Sequence, residues 1–510
     1  MILLLSTFFA VLVIASSLDR MAQPNKYPTH RSTFLRARAM GLPFRVLPLL
    51  LIFGCALAVT GRVLGAGVLS IVAIALLVLG SNLKRGLLDE PLLFSDAVLV
   101  KACFQHPRFY VDALPLPARV AVLSGLSATV LTVGALFVYD LTHLTRAGGS
   151  TLLLRIIGLL FGVSSLLLLR ELARTSLPRR LMPLPDYNAA MPVHGFLATT
   201  SISWLLWLQD RHRPLSSHSR AARREPPREK APIVVVIQCE SFADPTTLMP
   251  ANAGLSPLPK LEQLRQTARH YGRLHMSGFG AYTMRTEYGV LFGHEETELG
   301  FRRFDPYLSA HSHFQDALPK RLESLFENRI FVHPHDMRFY ARDRLMPASG
   351  FTTLVGANEF EGKAKCGPHI SDRSLGEQLV GLIENAIRNN QSTFIFAVTI
   401  ENHGPWPGGL SAYLDHVSHG DALLGVIHDA LAKCGHPALL AFYGDHRPTI
   451  PNAVTPGNGR HTPFLICEFG GGISTPQSEQ DLTPAGLHHA IFEAILRMPA
   501  DSDDASLRSE

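Results

Sequence analysis

The chain has 510 residues, a hydrophobic fraction of 47% and a formal net charge of +5. It is too long for one ordinary domain, and so apolar a composition implies that part of it does not face water. Its Lys and Arg residues gather beside apolar runs instead of forming a basic domain, so no nucleic-acid partner is implied.

The six cysteines are Cys55, Cys103, Cys239, Cys366, Cys434 and Cys467, and none lies in a CxxC pair or a zinc-ligand spacing. Cys366 and Cys434 are candidates for a disulfide if their domain meets an oxidising compartment.

Residues 1–209 read as a membrane region. Five runs, 2–18, 44–60, 63–81, 118–139 and 151–169, are apolar enough over enough residues to form transmembrane helices. The first has no charged segment before it and no cleavage site before Asp19, so it is expected to be retained. A sixth run, 193–209, carries Trp204 and Trp207 and reads either as another crossing or as an amphipathic helix on the membrane surface.

Basic residues cluster in three places: between 19 and 43 (Arg20, Lys26, Arg31, Arg36, Arg38), between 82 and 117 (Lys84, Arg85, Lys101, Arg108), and at Arg170, Arg174, Arg179 and Arg180. The positive-inside rule puts all three in the cytoplasm, so five crossings leave the rest of the chain inside and six bring it out. Residues 210–231, rich in Arg, Pro and Ser, read as a linker.

From Pro232 short β-branched runs alternate with longer amphipathic ones, the pattern of an α/β domain with a central sheet between helices, extending over 232–498. The expected strands are Ile233–Gln238, Arg329–Val332, Thr393–Ile400, Leu439–Tyr443 and Pro463–Glu468. Helices are expected over 257–268, 318–327, 373–389, 420–433 and 484–497. The acidic residues 499–510 read as a disordered tail.

Open α/β sheets put their ligands beyond the carboxyl ends of the strands. Three polar groups stand there: Cys239-Glu240-Ser241, Glu401-Asn402-His403 and Asp445-His446-Arg447. Glu240, Asp445 and His446 supply hard oxygen and imidazole donors, which suit one Mn²⁺ or Mg²⁺. A strand-end carboxylate also serves as a cap or ion-pair partner, and an Asp-His pair as a solvated turn. Thr283 follows a glycine-containing loop and precedes a helical stretch. There it is either a nucleophile beside an anion-favouring helix start or simply an N-cap.

Four ordered motifs resemble one family: Gln238-Cys-Glu-Ser-Phe-Ala-Asp-Pro245, Thr283-Met-Arg-Thr-Glu-Tyr288 with Val290, Leu291 and Gly293, Glu401-Asn-His-Gly-Pro405, and Tyr443-Gly-Asp-His-Arg447. They are similar to those of the lipoteichoic acid synthase and phosphoglycerol transferase family, within the alkaline phosphatase and sulfatase superfamily. The resemblance implies an α-helical multi-pass membrane region followed by a catalytic α/β domain of that type, with a central mixed sheet flanked by helices.

It further implies that Glu240, Thr283, Asp445 and His446 hold the metal, that Thr283 becomes covalently substituted, and that His403 binds substrate. The stretch His335-Asp336-Met-Arg338-Phe-Tyr340-Ala-Arg342-Asp343 resembles a headgroup pocket, with Asp336, Tyr340 and Arg342 as its lining, and Arg447 is added as a further substrate contact. The implied donor is a membrane phospholipid, most plausibly phosphatidylglycerol, and the implied acceptor a glycan outside the bacterial cytoplasmic membrane. The segment Glu90-Pro-Leu-Leu-Phe-Ser-Asp96 leans towards enzymes that decorate periplasmic glucans.

Classical sulfatases mature a Cys or Ser in a C/S-x-P-x-R setting, which surrounds neither Thr283 nor any cysteine, so sulfate ester hydrolysis is disfavoured. Competing readings are a hydrolase or phosphoethanolamine transferase of the same fold, a non-catalytic glycan binder, and a transporter. The near absence of charge inside the apolar runs disfavours the last.

Overall fold

The computed structural model describes residues 2–22, 38–97, 116–142, 144–215, 229–249, 254–457, 459–470 and 479–498. Most of the 210–231 linker, the 499–510 tail and the middle of the first two basic loops lie outside the described residues. The chain divides into two units, Met1–Arg213 and Pro214–Glu510.

In the first unit four described helices are long and apolar enough to cross a membrane: Ile2–Met21, Arg38–Thr60, Val63–Leu88 and Thr151–Ala173. They coincide with four of the five expected runs. The remaining run lies in the helix Leu116–Thr142, whose apolar part, Arg119–Ala135, is shorter. The 193–209 stretch forms a helix of 15 residues, Phe196–Asp210. At 1.5 Å per residue that is about 22 Å, short of a hydrocarbon core of about 30 Å. Its N-terminus is tied down within the unit, because Leu197 N–H donates to Asp19 Oδ1 at 2.9 Å.

Close packing between Leu42–Thr60 and Leu144–Ala173 depends on glycine: a Cβ at Gly158 would lie 2.5 Å from Ala58 N, and one at Gly54 2.7 Å from Gly158 O.

The second unit is built on an eight-stranded mixed sheet of order β10-β2-β9-β8-β1-β7-β3-β4. In chain order the strands are β1 Ile233–Cys239, β2 His270–His275, β3 Asn328–Val332, β4 Thr353–Val355, β7 Thr393–Val398, β8 Ala438–Gly444, β9 His461–Phe469 and β10 Gln480–Leu482, while β5 Lys365–Cys366 and β6 His369–Ile370 form a separate two-stranded hairpin. β8, β1, β7, β3 and β4 run parallel, so the loops leaving their carboxyl ends share one edge.

β1 is buried at every position, as a central parallel strand covered on both faces must be. Its side chains alternate between two cores. Val234 and Val236 join one with the helices Thr283–Phe292 and Pro484–Leu496. Ile233, Val235 and Ile237 join the other with Asp372–Arg388 and Gly409–Ala432.

Three expectations are corrected. The helix expected over 318–327 covers only Leu318–Arg321 and continues as turns, and the one expected from 420 begins at Gly409. Cys366 and Cys434 are both free thiols. Cys366 meets His416 near the start of the Gly409–Ala432 helix, whereas Cys434 lies just past its end. Eighteen residues of helix span about 27 Å, far beyond the roughly 7 Å limit for a disulfide.

Candidate metal centre and active site

Strand register brings the two acidic loops together. Cys239 of β1 pairs with Gly444 of β8, so the next residues, Glu240 and Asp445, leave the sheet side by side. Gly444 is required there, because a Cβ would lie 1.9 Å from the Phe242 carbonyl oxygen. Glu240, Asp445 and His446 are all buried and offer one donor atom each within 4.8 Å of one another. His446 Nε2 stands 3.5 Å from Glu240 Oε1 and 3.4 Å from Asp445 Oδ2. Bonds of about 2.0–2.2 Å to one ion give ligand-to-ligand edges of about 3–3.6 Å, so the three atoms are already spaced as ligands.

The hydrogen bonds turn the Asp445 and His446 donor atoms towards the group. Asp445 Oδ1 accepts from the backbone N–H of Ser241 and of His446, each at 2.8 Å, while the buried Oδ2 has no hydrogen-bond partner among the described residues. His446 Nδ1–H donates to the Arg447 carbonyl at 3.1 Å, which turns the Nε2 lone pair towards the carboxylates.

Burial, followed by the charge of Glu240, pushes the Asp445 carboxyl well above the usual carboxylate range. Burial opposes protonation of His446, but Asp445 and Glu240 outweigh it and raise the imidazole. An orphaned buried oxygen in a group that otherwise retains a proton is the signature of a place where a divalent cation fits.

Thr283 stands at the border of this group. It is the first residue of the Thr283–Phe292 helix, after Tyr282 in the left-handed region at φ 78°, and its Oγ1 donates to Glu240 Oε2 at 3.3 Å. One turn on, Thr286 Oγ1 donates to the Asp445 carbonyl at 2.7 Å, fixing the helix start against the β8 loop. The buried Arg285 guanidinium lies 3.7 Å from the centre of the Tyr282 ring and donates to the Phe304 carbonyl, which holds the unusual turn before Thr283.

The other expected site residues divide into two sets. His403 hangs from the β7 loop, with Nδ1–H donating to the Gly404 carbonyl at 2.7 Å and its ring 5.8 Å from that of His369. Tyr340, at φ 57°, is partly buried with the Arg342 guanidinium 5.2 Å from its ring centre.

Arg342 is instead closed on Glu287, and Asp336 is paired with the exposed Arg338 at 2.6 Å in a local turn. Arg447 donates through Nε to the His461 carbonyl at 2.8 Å and through Nη1 to the Thr247 carbonyl at 3.1 Å, pinning the β8 loop to its neighbours. The structure brings Glu240, Thr283, Asp445 and His446 together and uses the forks of Arg342 and Arg447 on protein groups.

Several contributors were not singled out from the sequence. Ser241 donates its hydroxyl to Glu240 Oε1 at 2.9 Å, and Thr399 accepts from Glu240 N–H at 2.9 Å. Ser241 was named only as a member of a motif, and Thr399 lies two residues before one, which was the available signal. Glu287 was inside a quoted motif, yet its partners Arg342 and Tyr307 come from distant segments.

A set of long apolar helices is followed by an α/β domain with this donor set at the carboxyl ends of adjacent parallel strands and a helix-start hydroxyl beside it, which is a sulfatase-like architecture. The chain belongs to the sulfatase family, whose model matches residues 232–496, just over half of its length.

It is 29% identical over 405 residues to the capsular polysaccharide biosynthesis protein RkpI of Rhizobium meliloti, covering 76% of this chain and 74% of that one. It is 25% identical over 252 residues to a putative cyclic beta-1,2-glucan modification protein of the same species, covering 45% of this chain and 37% of that one. Among solved structures it is similar to the Streptococcus pyogenes phosphoglycerol transferase GacH in complex with sn-glycerol-1-phosphate, with a TM-score of 0.42 and 16% identity over 55% of this chain and 83% of that one.

Proposed function

We propose that this protein is a metal-dependent transferase that moves a phosphoglycerol group from a membrane phospholipid, phosphatidylglycerol, to a glycan hydroxyl outside the bacterial cytoplasmic membrane. The observation that carries this reading is the Thr283 hydroxyl at a helix start, 3.3 Å from Glu240 and bordering the Glu240, Asp445 and His446 donors. These residues would hold one Mn²⁺ or Mg²⁺, which supplies positive charge for the nonbridging phosphoryl oxygens and acidifies the threonine hydroxyl.

Thr283 Oγ attacks phosphorus, the bond from phosphorus to the diacylglycerol oxygen breaks, and diacylglycerol leaves as the alcohol. A glycan hydroxyl then attacks the glycerophosphoryl-threonine and restores Thr283. His403 is assigned to proton transfer with the leaving and attacking oxygens, with its ring oriented by the Nδ1 contact to the Gly404 carbonyl. Tyr340 is assigned to the headgroup. Arg342 and Arg447 are assigned to positioning, since their N–H groups are directed at Glu287, Thr247 and His461.

The glycan acceptor is supported by the relatives, one named for capsular polysaccharide biosynthesis and one for cyclic glucan modification. The membrane unit supports a lipid donor, which reaches a tethered domain by lateral diffusion. Intact-mass analysis of the full chain in detergent with Mn²⁺ and phosphatidylglycerol tests the reading. A glycerophosphoryl adduct on wild type and not on Thr283→Ala is expected. Adduct on both proteins, or on neither while a generic phosphodiester is cleaved, would overturn the nucleophile or the donor respectively. A carboxyl-terminal reporter found in the cytoplasm would overturn the glycan acceptor.

A further inference from the structure

A second group of metal-type donors lies beyond the β7 end and shares no residue with the first. Cys366 of the β5–β6 hairpin, Glu401 after β7, and His419 of the Gly409–Ala432 helix place one donor atom each within 4.8 Å of one another. His416 stands one helical turn before His419, on the same face, with its Nε2 3.5 Å from Cys366 Sγ. A tetrahedral zinc site with bonds of about 2.3 Å to sulfur and 2.0 Å to nitrogen has a sulfur-to-nitrogen edge of about 3.5 Å, the spacing seen.

The imidazole is also oriented as a ligand would be. His416 Nδ1–H donates to the Glu401 carbonyl at 3.2 Å, so Nε2 presents its lone pair towards the thiol.

The surrounding charges favour a cation. Glu401 is 1% exposed, and its carboxylate meets His419 Nδ1 and the backbone N–H of Asp372. Asp372 is itself 1% exposed, and neither of its carboxylate oxygens has a hydrogen-bond partner among the described residues. Two neighbouring buried carboxyl groups, one of them unpartnered, are costly without positive charge nearby.

We infer that Cys366, Glu401, His416 and His419 form a second metal site, selective for a thiolate-accepting ion of the Zn²⁺ type. Sulfur and imidazole donors exclude Mg²⁺ and disfavour Mn²⁺, so this site and the Glu240 centre differ in preference. Occupancy would clamp the hairpin and the helix start to the β7 loop that carries His403 two residues after Glu401. The site would thus act on the active centre as a positioning device.

Cobalt spectroscopy of the full-length protein in detergent tests this, because the Glu240 centre contains no sulfur. After chelator treatment, Co²⁺ is expected to produce a thiolate-to-cobalt charge-transfer band in wild type and in Glu240→Gln, and none in Cys366→Ser. His419→Ala is expected to weaken Zn²⁺ binding at this site at least about tenfold, and zinc content should fall by one ion per chain in Cys366→Ser. In wild type, Zn²⁺ is expected to protect Cys366 from alkylation, read by peptide mass, which needs no variant to fold.

No charge-transfer band in wild type, a band that persists in Cys366→Ser, or alkylation of Cys366 unaffected by Zn²⁺ would each overturn the inference. None of these readouts involves Thr283 or turnover, so the transferase reading can fail without affecting them.

Discussion

The guanidinium of Arg342 grips Glu287 with two parallel hydrogen bonds, Nε to Oε1 at 3.0 Å and Nη2 to Oε2 at 2.6 Å, between side chains no more than 1% exposed. The Tyr307 hydroxyl adds a third contact to Glu287 at 2.6 Å. Glu287 sits one turn into the helix that begins with Thr283, so the pair connects that helix to the segment after β3.

Removing one member leaves a buried charge uncompensated. Arg342→Met or Glu287→Gln is therefore expected to destabilise the globular unit by about 3–5 kcal/mol, measured by urea unfolding. Arg342→Lys keeps the charge but loses the fork and should fall between those variants and wild type.

Substitution of Thr283 separates chemistry from folding. Thr283→Ala is expected to lower turnover by about 10³-fold or more, as loss of a covalent nucleophile does, with an unchanged melting temperature. Thr283→Ser keeps the hydroxyl and should retain much of the rate. Equal activity in Thr283→Ala and wild type would remove the threonine from the mechanism.

Metal removal should act on both rate and stability. Chelation is expected to abolish transfer, and Mn²⁺ or Mg²⁺ to restore it. An ion at about 100 times its Kd stabilises the folded state by about 2.7 kcal/mol, seen as a rise in melting temperature. Asp445→Asn, which replaces the carboxylate carrying the orphaned oxygen, should eliminate most of that rise.

Acid lability follows from buried neutral histidines outside the Glu240, Asp445 and His446 group. Burial, with His294 and Arg302 nearby, brings His313 down to about 4, and burial with Arg321 holds His488 well below its ordinary value. Both bind fewer protons folded than unfolded, so stability rises with pH through this range. The stabilisation is complete above about pH 6.5 and is lost as pH falls towards the folded values. Melting temperature is expected to drop between pH 7 and pH 4.5, and His313→Gln to flatten that slope, provided Gln also satisfies the Tyr288 hydroxyl that His313 Nδ1 meets at 2.7 Å.

The central strands were legible because β1, β7 and β8 are short, nearly continuous apolar runs followed by polar residues, which is how buried parallel strands read. β2, with the sequence His-Tyr-Gly-Arg-Leu-His, and the three-residue β4 and β10 were not, since partner strands rather than local pattern define them. The Glu240, Asp445 and His446 cluster was legible as strand-end polar residues. The Arg342–Glu287 pair was not, because its members are 55 residues apart and only the packed core desolvates them. Cys366 was read only as one half of a disulfide for a similar reason: the groups it meets come from a strand end and a helix, and no linear spacing links them.

The position of β1 also sets when the enzyme can exist. It is the first strand of the sheet in the chain, yet its neighbours β7 and β8 come from the last third, and Ser241 meets Asp445 across 204 residues. Contacts so distant in sequence form late and slowly. A ribosome must therefore pass His446 before the donors of β1 and β8 can assemble, and every shorter nascent chain lacks the centre altogether.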